Sequence, residues 1–129
     1  MKKGISVVFL IHAIVALFFG VVMTFLPTPW ANVMNWQPLD TVMTRTVGAA
    51  MFAFAVSSLL CFAAKKWAQV RIVVLMEVVL TVIGLLVGLY EVLFADAPKS
   101  LWLNTVLFGV FAVAWICVYV LGNKEQAAS

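Results

Sequence analysis

The sequence predicts an all-α membrane protein: an antiparallel four-helix transmembrane bundle with a short interfacial helix between spans one and two. Three observations lead there. The 129 residues are 66% hydrophobic and only 10% charged, which leaves too little polar surface to coat a water-soluble globule. The apolar residues gather into four runs of about twenty, the length that crosses a ~30 Å hydrocarbon core as a helix, and they lack the strict alternation of a barrel strand. The third run alone holds carboxyl groups: Glu77, Thr81, Gly84, Gly88 and Glu91 succeed one another at steps of four, three, four and three, within an arc of about 80° on a helix. An ionisable group facing lipid near mid-bilayer costs ~2.5 to 3.5 kcal/mol on insertion scales. This polar face is therefore expected to look into the bundle.

The first span is read over residues 5–26, after the basic pair Lys2 and Lys3. Its apolar core exceeds the roughly 7 to 15 residues of a secretory signal and no small-x-small cleavage site follows, so it is expected to stay as a span. His12, Ala16, Gly20 and Thr24 lie one turn apart along it, a stripe expected to face the bundle. Pro27, Pro29 and Pro38 then interrupt the chain. Thr28 as a cap and Pro29 at the first helical position predict a short interfacial helix over about residues 29–36. Trp30 and Trp36 within it, with Trp67 and Trp102 at later helix ends, are expected to anchor at headgroup depth.

Asp40 or Thr41 is suited to cap span two, read over residues 42–64. Its small residues Thr46, Ala49 or Ala50, Ala53, Ser57, Cys61 and Ala64 repeat at about one-turn spacing, a stripe expected to serve close helix packing. A basic connector with Lys65, Lys66, Trp67 and Arg71 leads into span three, residues 70–94, where Gly84 and Gly88 form a GxxxG expected to pack within the bundle rather than between molecules. Ser100 is placed to cap span four, residues 101–121, and Gly122 to end it, with a short frayed tail beyond. The whole chain, 1–129, reads as a single transmembrane domain.

The net charge of +3 follows topology. Lys2, Lys3, Lys65, Lys66, Arg71 and Lys124 fall on one side of the membrane and only Arg45 and Lys99 on the other, which predicts a multi-pass protein of the cell inner membrane with both termini cytoplasmic. No basic stripe with interleaved aromatics suggests nucleic acid as a partner. Cys61 and Cys117 would then lie on the reducing side as small buried apolar filler. One His and two thiols on separate helices fall short of any metal-ligand spacing. No bound cofactor is expected, although a lipid beside Gly84 and Gly88 would fit.

Depth sorts the polar residues into two layers. His12 and Glu77 each lie seven residues inside a span that starts on the same side, at about 10 Å depth, and Ser57, Ser58 and Trp115 fall near that level. A His beside a Glu inside a membrane is the chemistry of a proton relay or a polar ligand clamp; a crosslink that sets helix register is the favoured alternative. The outer layer holds Thr24, Arg45, Glu91 and Asn104, with a salt bridge between Arg45 and Glu91 expected and Asp40 and Asp96 as competing partners. Gly20, Gly48, Gly84 and Gly88 are the expected helix-packing glycines.

The run Arg45-Thr46-Val47-Gly48-Ala49-Ala50 opens the second of four short spans after a Trp- and Pro-rich connector. In this layout, and in an arginine one turn before a glycine, the chain resembles the small four-helix membrane proteins of the DoxX-like type. That resemblance implies a four-helix fold and little about activity; proteins of this type that have a role are often subunits or accessory proteins beside a redox or biosynthetic enzyme. No nucleophile with its base, metal cage or P-loop is legible in the residues. The expectation is a non-enzymatic accessory or assembly subunit, whose partners are membrane lipid and another membrane protein or a second copy. A small-solute or proton carrier using His12 and Glu77 is the alternative, and a lipid- or quinone-binding membrane enzyme a further one.

Overall fold

The computed structural model describes residues 3–128; Lys2, counted above among the basic residues of one side, lies outside the described residues. The chain forms five helices, α1 (Lys3–Phe25), α2 (Pro27–Val33), α3 (Thr41–Ala63), α4 (Trp67–Phe94) and α5 (Leu101–Ala127). The four long ones, of 23, 23, 28 and 27 residues, are each long and apolar enough to cross a membrane. Their outer faces carry exposed Ile14, Leu60, Ile72 and Val113, side chains that a bilayer accommodates and water does not.

Helix ends follow local chemistry, in places differently from the expectation. Asp40 caps α3 by accepting from the Met43 N–H at 2.9 Å, as read from the sequence. The interfacial helix starts at Pro27 instead of Pro29; Pro27 itself supplies the preset first-turn φ, so Thr28 sits inside the helix and does not cap it. Trp36 falls beyond its end. α4 begins a turn earlier than residue 70, because Gln69 Oε1 reaches back to the Lys66 N–H at 3.2 Å and steadies the first turn. Ser100 makes no cap; its hydroxyl donates to the Met34 carbonyl and ties the α4–α5 turn to the end of α2.

The largest departure is at the end of α5, which runs through Gly122 to Ala127. Gly122 is not a stop. It lies flat against the indole of Trp67, where a Cβ would collide with the ring, and the next residue, Asn123, accepts from Trp67 Nε1 at 3.1 Å. Trp67 is buried and clasps α4 to α5, so it is a packing residue and not a headgroup anchor. Trp102 and Trp36 are exposed, and Trp30 packs edge-on against Phe18 and Phe19, holding α2 to α1.

The bundle is two tight antiparallel pairs, α1 with α3 and α4 with α5. In the first, Gly20 meets Phe52 and Gly48 meets Thr24; in the second, Gly84 meets Phe108 and Gly88 meets Thr105. The GxxxG of α4 thus packs within the molecule. The buried face of α3 is Gly48, Ala55, Ser58 and Cys61, rotated from the expected stripe: Thr46, Ala49, Ala50 and Ala53 are exposed. The reason is that α3 approaches α1 through Gly48, and that contact sets its rotation. Cys61 is buried and Cys117 exposed, both free thiols, so only Cys61 is core filler.

The pairs join at the end that bears the termini. Ile5, Phe9, Cys61, Trp67, Val70, Val74, Trp115 and Val118 form one core there, whereas toward α2 the pairs separate and leave a cavity between them.

A Cβ at Gly48 would stand 2.8 Å from the Thr24 backbone nitrogen, whereas one at Gly109 meets nothing nearer than 3.5 Å. Gly48→Leu is expected to destabilise the protein by about 1 to 3 kcal/mol through forced separation of α1 from α3, and Gly109→Ala to change little, as read by thermal unfolding in lipid bicelles.

Candidate functional site

All four long helices meet at one level. On α1 the buried positions Ile5, Phe9, His12, Ala16 and Gly20 recur at helical spacing, so the packing that buries Phe9 also turns His12 inward. Ser58 is inward on α3 because Ala55 and Cys61 share its face. Val70, Val74, Glu77 and Thr81 do the same on α4, and Ala112, Trp115 and Val118 on α5.

The result is a polar junction inside an apolar wall. His12 Nδ1 lies 2.8 Å from Ser58 Oγ, a hydrogen bond between α1 and α3, and Nε2 lies 3.6 Å from Glu77 Oε2, within ion-pair range and beyond a good hydrogen bond. The imidazole thereby bridges the two helix pairs. Its ring is held edge-on by Phe111 and Trp115, at centroid distances of 5.0 and 5.2 Å, and Phe9 backs Trp115 at 5.0 Å. Glu77 is 2% exposed and Ser58 and Trp115 0%. Thr81 is bonded back to its own helix, donating to the Glu77 carbonyl at 2.6 Å. Two buried polar atoms at this level, Glu77 Oε2 and Trp115 Nε1, have no hydrogen-bond partner.

Of the five residues expected in the inner layer, His12, Ser58, Glu77 and Trp115 come together. Ser57 does not: its hydroxyl donates to the Phe54 carbonyl of its own helix at 3.0 Å, because one residue of helix turns a side chain by about 100°. The expected outer layer is not one cluster. Thr24 Oγ1 is buried against Gly48 without a partner, and Glu91 and Asn104 line a cleft between α4, α5 and the loop after α2. Arg45 is exposed, and among the described residues no ion pair joins it to Glu91, Asp40 or Asp96. The separation of the helix pairs at this end carries α3 away from α4.

That separation creates the second part of the site, which the sequence reading missed. A cavity of about 130 Å³ lies between the pairs, lined mainly by Phe19, Met51, Phe54, Phe108 and Phe111, with His12 at its floor. A larger cleft of about 760 Å³ adjoins it toward α2, bordered by Trp36, Gly88, Glu91 and Asp96. Leu80, Asn104 and Phe108 line both, so the two are neighbours with a shared wall. The signal for α5 was present: Asn104, Phe108, Phe111 and Trp115 follow at steps of four, three and four, one face of a helix. Beneath His12 the core of Ile5, Phe9, Val74 and Trp115 is closely packed.

Fold and site together define a small multi-pass integral membrane protein with a polar junction under an intramembrane cavity. Compared with protein-family models, with curated proteins and with solved structures, the chain has no match.

The junction predicts a measurable coupling. In a double-mutant cycle of His12→Phe and Ser58→Ala, read by unfolding in bicelles, the coupling energy is expected at about 0.6 to 1.7 kcal/mol, the range of interhelical hydrogen bonds in membranes. Ser57→Ala combined with His12→Phe is expected to be additive.

Proposed function

We propose that this protein binds a lipid-soluble small molecule between its two helix pairs and serves as a non-catalytic component of the cell inner membrane, an accessory subunit with both termini cytoplasmic. The observation that carries the reading is the apolar cavity floored by His12. Its volume of about 130 Å³ is close to the ~150 Å³ at which a dry apolar protein cavity takes up benzene, and the adjoining cleft of about 760 Å³ lies in the ~300 to 1,000 Å³ range of small-molecule sites. An apolar wall with a few convergent polar groups, here His12 and Asn104, is the usual make-up of such a site. A carrier that moves protons through His12 and Glu77 is less well supported, because packed apolar side chains lie on the far side of His12.

The reading is tested by photolabelling in bilayer discs with an aryl-diazirine alcohol. Labelling is expected on Met51, Leu107 and Phe108, and is expected to fall about tenfold in Val15→Phe, which fills the cavity from a half-buried lining position. Val7→Phe, on the exposed face of the same helix, is expected to leave it unchanged. Labelling confined to lipid-exposed side chains, and equal in all three proteins, would overturn the reading.

A further inference from the structure

The cleft outside the inner cavity differs from it in charge. Glu91 and Asp96 are its only charged lining residues, and among the described residues that line it there is no Lys, Arg or His. Glu91 has no ion-pair partner among the described residues, and Arg45, the cation expected to neutralise it, is exposed elsewhere. Lys99 belongs to the same turn as Asp96 but is exposed and outside the lining; a cleft wall with two acidic side chains and no basic one raises the local concentration of cations over anions, and does so more strongly beside low-dielectric walls than in open water. The remaining polar lining, Gln37, Ser100, Asn104 and Thr105, is neutral.

Length adds a second constraint. Thr81 lines the inner cavity and Glu91 the cleft; they stand ten residues apart on one helix, so about 15 Å separates the two levels. The inner end admits a single ring or a short branched chain by volume.

Building on the ligand-binding reading above, we infer that the site takes a cationic amphiphile about 15 Å long, with its positively charged head between Glu91 and Asp96 and an apolar ring or branched end in the cavity above His12. The head stays at the cleft, where water reaches it, and the chain passes Leu80, Asn104 and Phe108. Ordinary anionic membrane lipids are disfavoured by the same acidic pair.

The test is competition against the aryl-diazirine label in zwitterionic phosphatidylcholine discs, using phenyloctylamine, phenyloctanol and phenylnonanoate, which share a ring and chain and differ in head charge. The amine is expected to displace the label at a concentration about tenfold lower than the carboxylate, with the alcohol between them. In the double variant Glu91→Gln, Asp96→Asn this order is expected to collapse, amine and carboxylate displacing the label at equal concentrations. Glu91 is half-buried and Asp96 exposed, and Asn tolerates the left-handed backbone of Asp96, φ 51°; unchanged helical circular dichroism verifies that the variant folds. Equal displacement by amine and carboxylate in the parent would overturn the charge selectivity while leaving the cavity reading intact. Failure of all three to displace the label, together with labelling indifferent to Val15→Phe, would overturn both.

Discussion

The structure depends on the requirement that polar groups buried within a membrane find one another. His12, Ser58, Glu77 and Trp115 stand on four different helices and all are buried, where an unpaired polar group is costly. Bonding His12 to Ser58 joins α1 to α3, and setting its other nitrogen opposite Glu77 brings the second pair to the first. Phe9 and Trp115 fill the space around that contact. The core of the molecule is therefore concentrated near the junction and on the side of it that bears the termini.

Away from the junction the forces differ. Within each pair, a small residue faces a larger side chain, as at Gly20 and Phe52 or Gly84 and Phe108, and dispersion holds the helices close. Between the pairs toward α2 there is no equivalent. Phe19, Phe54, Phe108 and Phe111 line open space there. Long helices that pack between pairs at one level only leave a gap at the other, and the cavity is the outcome. Its position above His12 is thus a consequence of how the bundle is held together. The Ser100 hydroxyl on the Met34 carbonyl and the aromatic seat of Trp30 secure the loop region that borders the opening.

The same geometry gives the polar residues separate tasks. Ser58 and Glu77 orient the imidazole at the cavity floor, whereas Glu91 and Asp96 set the electrostatic character of the cleft. The residues on α4 that read as one polar stripe belong to different environments: Glu77 and Thr81 are buried in the junction, Gly84 and Gly88 serve the contact with α5, and Glu91 is half-exposed at the opening.

The sequence by itself determined the class of fold, the four spans, the interfacial segment and the inward face of α4, because hydropathy and a 3.6-residue period are local properties of the chain. It also placed His12, Glu77, Ser58 and Trp115 at a common depth, since rise per residue converts position into height. Only the tertiary structure decided which of two adjacent serines points inward, that Gly122 serves the Trp67 indole instead of ending a helix, and that Arg45 and Glu91 stay apart. Those outcomes turn on helix rotation and on the spacing between pairs, and both are set by contacts between segments far apart in the chain. The cavity is the clearest case: it is bounded by all four long helices, and no one of them encodes it.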